Sequence, residues 1–422
     1  DRSVSRGLGD VYKRQVLYMH INHIKILGNK NRRANFMDRG LNTRCLHLEE
    51  TEGTVNNYGA ISFPIYQTAT YAHPEVGQST GYDYSRLQNP TKEHLEKIVA
   101  GLEGGTDALA LSSGMAAITL LMEIFKPGDH LIVEADLYGG SIRLFDNVSS
   151  KNGIEFSYVD CSNDNVENYI KESTKAIYIE TPTNPMMNVS DIQKLAEISK
   201  KNNLLLIVDN TFLSPYFQNP LKLGADVVIH SGTKFLGGHN DTLAGFIVTD
   251  REDISEKLRF LIKTTGAGLA PFDSWLILRG IKTLGIRMER AQKNAILLAD
   301  WLKEQSIVTK VIYPGLPEHP GYEIIKKQAR GFGSMITFNV DTKEHALAIL
   351  KKVRMIKFAE SLGGVETLIT YPTTQTHADV PEEIREKNGI TACTLRLSTG
   401  IEDGEDLIAE LETVFKNIDK TD

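Results

Sequence analysis

Lys234 is a primary amine that closely follows two hydroxyl residues, Ser231 and Thr233. The mostly apolar run Ala225–Ile229 comes just before them and predicts a short buried strand. At the end of such a strand, a lysine amine can form a Schiff base with pyridoxal phosphate (PLP), and the two hydroxyls can hydrogen-bond its phosphate. Taken alone, the segment also fits an ordinary loop lysine, so the other parts of a site must come from elsewhere in the chain.

A carboxylate occupies a second predicted strand end. Asp209 follows Leu204–Val208, an apolar run that predicts a strand buried on both faces. A carboxylate in this place can pair with the pyridinium nitrogen of PLP and keep the ring protonated, so that the ring accepts electrons. Asp209 also fits a turn cap, because Asn210–Thr211 is typical of a turn. An Asp and a Lys at two strand ends favour the cofactor interpretation.

A strand, a loop and a helix in succession predict an anion site. Ala108–Leu111 predicts the strand and Ala116–Phe125 the helix, and Ser113, Gly114 and Met115 lie between them. The free N–H groups and the dipole of a helix N-terminus favour phosphate, and glycine permits a close approach. The sequence has neither GxGxxG nor GxxxxGK[ST], which counts against a dinucleotide or P-loop site.

The chain resembles the Cys/Met-metabolism family of PLP-dependent enzymes over about residues 41–418. That family includes cystathionine γ-synthases, O-acetylhomoserine sulfhydrylases, and the cystathionine and methionine lyases, and the synthase branch is the most similar. The resemblance implies PLP as cofactor and an α/β fold of PLP fold type I, with a mostly parallel sheet in a large domain and a smaller α+β C-terminal domain. It is carried by Tyr84–Ser85–Arg86, Asn89–Pro90–Thr91, Ser113–Gly114–Met115, Leu137–Tyr138–Gly139–Gly140, Val208–Asp209–Asn210–Thr211, Ser231–Lys234 and Arg396–Leu397–Ser398.

The resemblance implies four further cofactor contacts. Tyr84 and Arg86 would reach from an N-terminal arm into the site of a partner subunit and bind the phosphate, which suits the fork of an arginine. Tyr138 would stack on the cofactor ring and assist proton transfer, and Asn184 would lie near the ring oxygen. Without the resemblance, Tyr84 and Arg86 fit a surface pair, and Tyr138 fits a core tyrosine.

Arg396 lies within the predicted strand Thr394–Leu397 and therefore needs a partner. A substrate α-carboxylate would serve, bound fork to fork, and a buried ion pair with an Asp or Glu is the alternative. The resemblance places Ser361 in the same carboxylate pocket. It also assigns Glu360 to the distal ammonium of a substrate, because synthases and cystathionine γ-lyases share this acid.

The domain organisation follows from changes in pattern. Residues 1–36 are basic and precede the resemblance, so we predict a leader outside the fold. Residues 37–87 are rich in tyrosine without a sustained period, which predicts an arm that packs on a partner subunit. Strands alternate with helices in residues 88–285, the predicted PLP-binding domain. A helix over Ser274–Leu302 leads into residues 286–422, the predicted C-terminal domain.

Composition limits the partners. A chain of 422 residues predicts two domains, and a net charge of −7 gives no reason to expect nucleic acid. No apolar run reaches the length of a membrane span. The three scattered cysteines Cys45, Cys161 and Cys393 predict a reducing compartment, the cytoplasm, and no Cys/His group has zinc spacing.

The resemblance predicts γ-replacement on an O-acylhomoserine, with cysteine or sulfide as the thiol substrate, and Lys234 as the base. Cystathionine γ-lyase, cystathionine β-lyase and methionine γ-lyase are the alternatives, and a non-catalytic PLP-binding sensor is a remote one. Gly140 stands where methionine lyases carry a cysteine, which favours replacement over methionine cleavage. A homodimer with shared sites, paired into a homotetramer, is the predicted assembly.

Overall fold

The computed structural model describes residues 39–47 and 59–419. The predicted leader, residues 1–36, lies outside the described residues, as does part of the predicted arm. Among the described residues, no helix is long and apolar enough to span a bilayer, and no cluster of His, Cys, Asp and Glu could hold a metal ion.

Helices and strands alternate through most of the described chain. The helices are α1 (Leu41–His47), α2 (Pro90–Glu103), α3 (Gly114–Met122), α4 (Gly139–Leu144), α5 (Ile192–Lys201), α6 (Ser214–Phe217), α7 (Glu252–Thr265), α8 (Pro271–Ile281), α9 (Leu284–Lys303), α10 (Tyr322–Gln328), α11 (Lys343–Lys352), α12 (Glu382–Lys387) and α13 (Gly404–Lys416). The strands are β1 (Asp107–Leu111), β2 (His130–Glu134), β3 (Glu155–Val159), β4 (Thr174–Glu180), β5 (Leu205–Asp209), β6 (Val227–Ser231), β7 (Gly245–Thr249), β8 (Val308–Ile312), β9 (Met335–Val340), β10 (Lys357–Phe358), β11 (Leu368–Thr370) and β12 (Thr394–Ser398).

Seven strands form the large sheet, in the order β1-β7-β6-β5-β4-β2-β3. β7 is antiparallel to both of its neighbours, and the other pairings are parallel. The predicted mostly parallel sheet is therefore confirmed. Parallel strands end at the same edge of a sheet, so the loops after β2, β4, β5 and β6 gather there.

The strands of this sheet are buried on both faces, which explains their continuous apolar runs. In β5, Ile207 packs into the core on one face, and Leu206 and Val208 pack into the core on the other. All three side chains are fully buried. The predicted strand Ala225–Ile229 is observed two residues later, as β6, because antiparallel pairing with β7 continues as far as Ser231 and Gly245.

The second sheet has five strands, in the order β10-β11-β12-β9-β8. Only the β10–β11 pair is parallel. Its core includes Phe338 from β9, Leu395 from β12 and Leu411 from α13. The α+β character predicted for the C-terminal part is confirmed.

Two helices replace the single helix predicted over Ser274–Leu302. α8 ends at Ile281 and α9 begins at Leu284. The Gly280 carbonyl accepts a hydrogen bond from the Thr283 N–H at 3.1 Å and another from the Arg287 guanidinium at 2.8 Å. These bonds take the place of the regular bond from Leu284, so the helical ladder is interrupted at this point.

The helix predicted over Ala116–Phe125 is also shifted. α3 begins at Gly114 because the Ser113 side chain caps it, accepting from the Ala116 N–H at 3.0 Å. It ends at Met122, since the next three amides bond carbonyls three residues back rather than four. This earlier start matters for function, because it brings the helix N-terminus to the sheet edge.

Candidate active site

Lys234 is held in a tight turn directly after β6. Its N–H donates to the Ser231 carbonyl at 3.2 Å, and its own carbonyl accepts from the Gly238 N–H at 2.7 Å. Burial lowers the pKa of Lys234 to about 8, and the nearby charge of Arg396 acts in the same direction. With such a pKa, roughly a tenth of the amine is neutral and nucleophilic near pH 7, far more than in an ordinary lysine.

Ser361 connects Lys234 to the second sheet. The Lys234 Nζ donates to the Ser361 Oγ at 2.7 Å, and the Ser361 carbonyl accepts from Arg396 at 2.9 Å. Ser361 adopts a left-handed φ of 85°, which a non-glycine residue holds only at an energetic cost. Gly363 follows at φ 75°, and a Cβ there would lie 2.8 Å from the Phe235 nitrogen. The Ser361 segment therefore packs directly on the Lys234 turn.

Arg396 is a buried cation that no carboxylate contacts within the described residues. The residue is 1% exposed and lies in β12. Its guanidinium donates to Asn184 Oδ1 at 2.7 Å and to Thr370 Oγ1 at 3.1 Å, and its buried Nε has no hydrogen-bond partner. Burial lowers the pKa of Arg396 to about 10. The ion-pair alternative is thus not what the structure shows, and the side chain can still bind an anion.

Asp209 ends β5 beside Glu180, its register partner at the end of β4. One Asp209 oxygen accepts from both the N–H and the hydroxyl of Thr211, at 2.9 and 2.6 Å. Burial raises the pKa of both carboxyls, and the charge of Asp209 raises that of Glu180 further. Two adjacent carboxyls with raised pKa values hold one proton between them more readily than two negative charges. The Thr211 donors favour the anion at Asp209, so we assign the proton to Glu180 and the negative charge to Asp209.

The predicted anion site lies at the N-terminus of α3. Ser113 caps the helix, and a Cβ at Gly114 would lie 2.9 Å from the Ser231 Cβ, so the two loops are in close contact. Met115 follows in the first turn and packs against the core beneath. The Thr233 hydroxyl instead bonds the backbone of Ala244, donating at 3.2 Å and accepting at 3.0 Å, and so holds the lysine turn.

Tyr138 stands at the start of α4 and is 38% exposed. Its N–H donates to Glu180 Oε2 at 3.0 Å. A Cβ at Gly140 would lie 2.4 Å from the Tyr138 ring, so glycine is needed for the ring to take this position. Asn184, from the loop after β4, is buried and accepts from Arg396 as described above.

Three predicted residues lie apart from this group. Arg86 donates to the Lys263 carbonyl at 2.6 Å, near the end of α7, and its guanidinium lies 5.3 Å from the centre of the Tyr84 ring. Both side chains are exposed. Glu360 is also exposed, and its charge raises the pKa of Lys234 and of Arg396, although it hydrogen-bonds to neither in the described part of the chain.

Sequence reasoning missed three residues that support the site. Glu180 directly follows the apolar run Ala176–Ile179, as Asp209 follows Leu204–Val208, and that shared pattern could have found it. Arg287 donates to the Phe235 carbonyl at 2.7 Å, just after Lys234, but an arginine within a predicted helix gives no such signal. His377 contacts the Tyr138 turn from a loop without any periodic pattern.

The residues present fit PLP. Gly114 leaves the space beside Ser231 that a Cβ would fill, at a helix N-terminus suited to phosphate. Asp209 supplies a partly buried carboxylate for the ring nitrogen, and Lys234 supplies a partly buried amine with a lowered pKa. The unpaired Nε of Arg396 leaves a donor for a substrate carboxylate.

Comparisons with known proteins agree with this chemistry. Residues 42–416 match the model of a family described as Cys/Met metabolism PLP-dependent enzymes. A cystathionine γ-lyase of Bacillus subtilis is 49% identical, over 85% of this chain and 95% of that protein. A cystathionine γ-synthase/O-acetylhomoserine (thiol)-lyase of the same organism is 49% identical, over 84% and 91%.

Among solved structures, a cystathionine γ-lyase from Lactobacillus plantarum complexed with L-serine is similar throughout. It superposes with a TM-score of 0.87 and 42% identity, covering 90% of this chain and 99% of that one. These matches cover nearly all of the described fold. The chain belongs to the Cys/Met-metabolism family of PLP-dependent enzymes.

Proposed function

We propose that the protein catalyses γ-replacement on an O-acylhomoserine, with cysteine giving cystathionine or sulfide giving homocysteine. The chain of hydrogen bonds from Lys234 through Ser361 to Arg396 is the observation that carries this proposal. It brings Lys234 and Arg396 to two sides of one serine, which supports their roles as proton acceptor and carboxylate-binding cation. An amino acid held by its α-carboxylate would present its Cα to the lysine.

Each residue has a defined task. Arg396 binds the α-carboxylate of the substrate, and Ser361 holds the Lys234 Nζ near it. Lys234 takes the proton from Cα and moves a second proton from Cβ. When bound, PLP supplies the electron sink that makes both protons acidic. The bond between Cγ and the ester oxygen then breaks, and the acyl group leaves with that oxygen as a carboxylate. The sulfur of the thiol gives up its proton to solvent and forms the new bond to Cγ, and protons return to Cβ and Cα through Lys234.

Glu360 would distinguish cysteine from sulfide, the two thiols of the proposal. The carboxylate is exposed, directly precedes Ser361, and acts electrostatically on both Lys234 and Arg396. A charge-assisted hydrogen bond from Glu360 to the distal ammonium of cysteine or cystathionine would contribute about 1.5–3 kcal/mol. O-acylhomoserine with sulfide has no second ammonium, so this contact favours cysteine as the thiol.

Cystathionine cleavage is the second candidate. The same Glu360 would bind the distal ammonium of cystathionine as substrate. The two Bacillus relatives named for lyase and synthase activity are equally identical to this chain, at 49%. Identity alone therefore does not separate the two reactions.

A homodimer with shared sites, paired into a tetramer, and a cytoplasmic location complete the proposal. Arg86 and Tyr84 do not contact Lys234, Asp209 or Ser113 within the described residues, and both side chains are exposed. Exposure beside α7 leaves them free to act on a second copy of the chain. This arrangement would add an arginine to the phosphate site of each partner.

The deciding assay compares six reactions of the holoenzyme. O-acetylhomoserine and O-succinylhomoserine are each supplied with cysteine and with sulfide, and cystathionine and methionine are each supplied alone. We expect the highest kcat/KM for an O-acylhomoserine with cysteine, since this ratio defines discrimination. Faster cleavage of cystathionine or methionine would replace the synthase proposal with a lyase, and no turnover of any of them would favour a PLP-binding sensor.

A further inference from the structure

His377 is a buried histidine to which the proposed reaction gives no role. It lies in the loop between β11 and α12 and is 2% exposed. Its Nε2 is 3.1 Å from the Leu137 carbonyl, and its Nδ1 is 2.9 Å from the Thr376 hydroxyl. A carbonyl only accepts, so Nε2 carries the proton and Nδ1 accepts from Thr376.

The Leu137 carbonyl belongs to the peptide unit that joins Leu137 to Tyr138. The N–H of that same unit donates to Glu180 Oε2 at 3.0 Å. One rigid peptide plane is thus held at both ends, by His377 on the carbonyl and by Glu180 on the amide. Fixing this plane fixes the position of the Tyr138 Cα, the atom from which the side chain leaves the backbone.

The backbone around His377 packs against the following residue as well. A Cβ at Gly139 would lie 2.2 Å from the Thr376 carbonyl oxygen and 3.5 Å from the His377 Cα. The backbone of Asn184 is a further hydrogen-bonding neighbour of the imidazole. His377 therefore lies between the two loops that carry Tyr138 and Asn184.

We propose that His377 is a positioning residue, which together with Glu180 clamps the Leu137–Tyr138 peptide and aims Tyr138 into the site. The proposal rests on the proposed placement of Tyr138 at the cofactor ring. A direct role as a proton carrier does not fit, because Nε2 is committed to a carbonyl that takes no proton. Burial lowers the pKa of His377 to about 4, so the imidazole is neutral in the working range.

Three single variants separate positioning from mere stability. His377→Leu removes the donor, and His377→Gln keeps an N–H donor in its place. Asn388→Leu is the matched control, because Asn388 Nδ2 donates to the Ala135 carbonyl at 3.1 Å and joins the same two segments away from Tyr138. Visible circular dichroism of the bound cofactor, kcat and Tm are measured for each holoenzyme.

We expect His377→Leu to weaken the visible dichroism and to lower kcat by about 10- to 100-fold, since small misplacements near reacting groups have costs of this size. His377→Gln should recover most of both signals, and Asn388→Leu should change Tm alone. If His377→Leu lowers Tm but keeps the dichroism and kcat of Asn388→Leu, the histidine is only structural and the proposal is overturned.

A double-mutant cycle with Tyr138→Ala completes the test. If His377 acts through Tyr138, its replacement by Leu should cause no further loss of dichroism once the ring is gone. An equal further loss in that background would overturn the proposal. If Tyr138→Ala leaves the visible band unchanged, the placement of Tyr138 fails, and the inference fails with it. The dichroism is read without substrate, so it does not depend on whether γ-replacement or cleavage is the reaction.

Discussion

Arg396 is the residue whose environment most clearly requires a ligand. Its hydrogen bonds go to an amide oxygen, a carbonyl and a hydroxyl, and no carboxylate contacts it in the described part of the chain. A buried charge without a counter-charge is costly. A substrate carboxylate would supply that counter-charge, so we expect this side chain to contribute strongly to the affinity for the α-carboxylate of an amino acid.

Arg396→Lys should lower kcat/KM by about 10- to 150-fold, the equivalent of about 1.5–3 kcal/mol for a lost charge-assisted bond. Lysine keeps the charge but lacks the planar fork, so KM should rise more than kcat falls. Steady-state kinetics with an O-acylhomoserine and cysteine measure the change. Arg330→Lys is the control, because Arg330 donates to the carbonyls of Pro215 and Tyr216 outside the site. Equal losses in both variants would contradict the assignment.

Lys234 should bind the cofactor with a pH dependence set by its lowered pKa of about 8. Only the neutral amine attacks an aldehyde, so the rate at which the apoenzyme takes up PLP should rise with pH and level off above about pH 8. Well below that pH, the rate should fall roughly tenfold per pH unit. Stopped-flow absorbance follows the uptake, and Lys234→Ala should show no covalent band. A midpoint near the ordinary lysine value of 10.5 would contradict the burial argument.

Single residues could be predicted where a chemically active side chain lies within or just after an apolar run. Lys234, Asp209 and Arg396 stand at the ends or in the middle of apolar runs, where a charged residue has no packing role. His377 and Arg287 were not predictable, because each acts through a backbone carbonyl far away in sequence. Such contacts depend on how loops approach in three dimensions, and no local pattern records them.

At the scale of elements, α4 and its preceding turn are positioned by close packing against the 371–390 segment. Gly139 and Gly140 are adjacent, yet a side chain at each would meet a different obstacle. At Gly139 the obstacle is the backbone carbonyl of Thr376, and at Gly140 it is the ring of Tyr138. A backbone carbonyl within a packed segment gives way less readily than the end of a side chain.

Gly139→Ala should therefore destabilise the fold by about 1–3 kcal/mol, the usual cost of overpacking. Gly140→Ala should leave stability closer to that of the parent protein but displace the Tyr138 ring, lowering kcat and changing the visible dichroism of bound PLP. Denaturant unfolding and dichroism of the two variants are compared side by side. If both variants lose only stability, the ring at Tyr138 does not need the space at Gly140.

Element positions followed from the sequence more closely than element ends. The strand predicted over Ala108–Leu111 is observed as β1, one residue longer at its start, because its apolar side chains pack into the cores on both faces of the sheet. The break between α8 and α9 was not predicted, because it depends on Arg287 and Thr283 both bonding the Gly280 carbonyl. The helical pattern of the side chains continues through the break and conceals it.

At the scale of the whole molecule, the proposed assembly predicts that two chains complete each site. Arg86→Ala and Lys234→Ala proteins should each be inactive, and mixing them should restore activity. Random pairing makes half of the dimers hybrid, each with one intact site, so recovery should approach about a quarter of the parent activity. Mass spectrometry verifies that hybrids have formed. Verified hybrids without activity would show that each site is built from one chain.

The proposed boundary between the PLP-binding and C-terminal domains, at residues 285 and 286, falls just inside α9. Leu284 and Met288, in its first turns, pack with Phe235 and Leu236 beside the lysine turn. Ala295 and Leu298, further along, pack with Phe338 and Leu395 of the second sheet. One continuous helix thus contributes to both hydrophobic cores.

Calorimetry should register the consequence of this shared helix. Melting either core withdraws packing from a helix that the other core also needs, so heat absorption should occur in a single peak rather than two. If the chain is divided at residue 285, each fragment should expose apolar surface and aggregate, even where its own sheet forms. In evolutionary terms, such a helix resists the exchange of one half of the protein for that of a distant relative, because both cores must accept the same twenty residues at once.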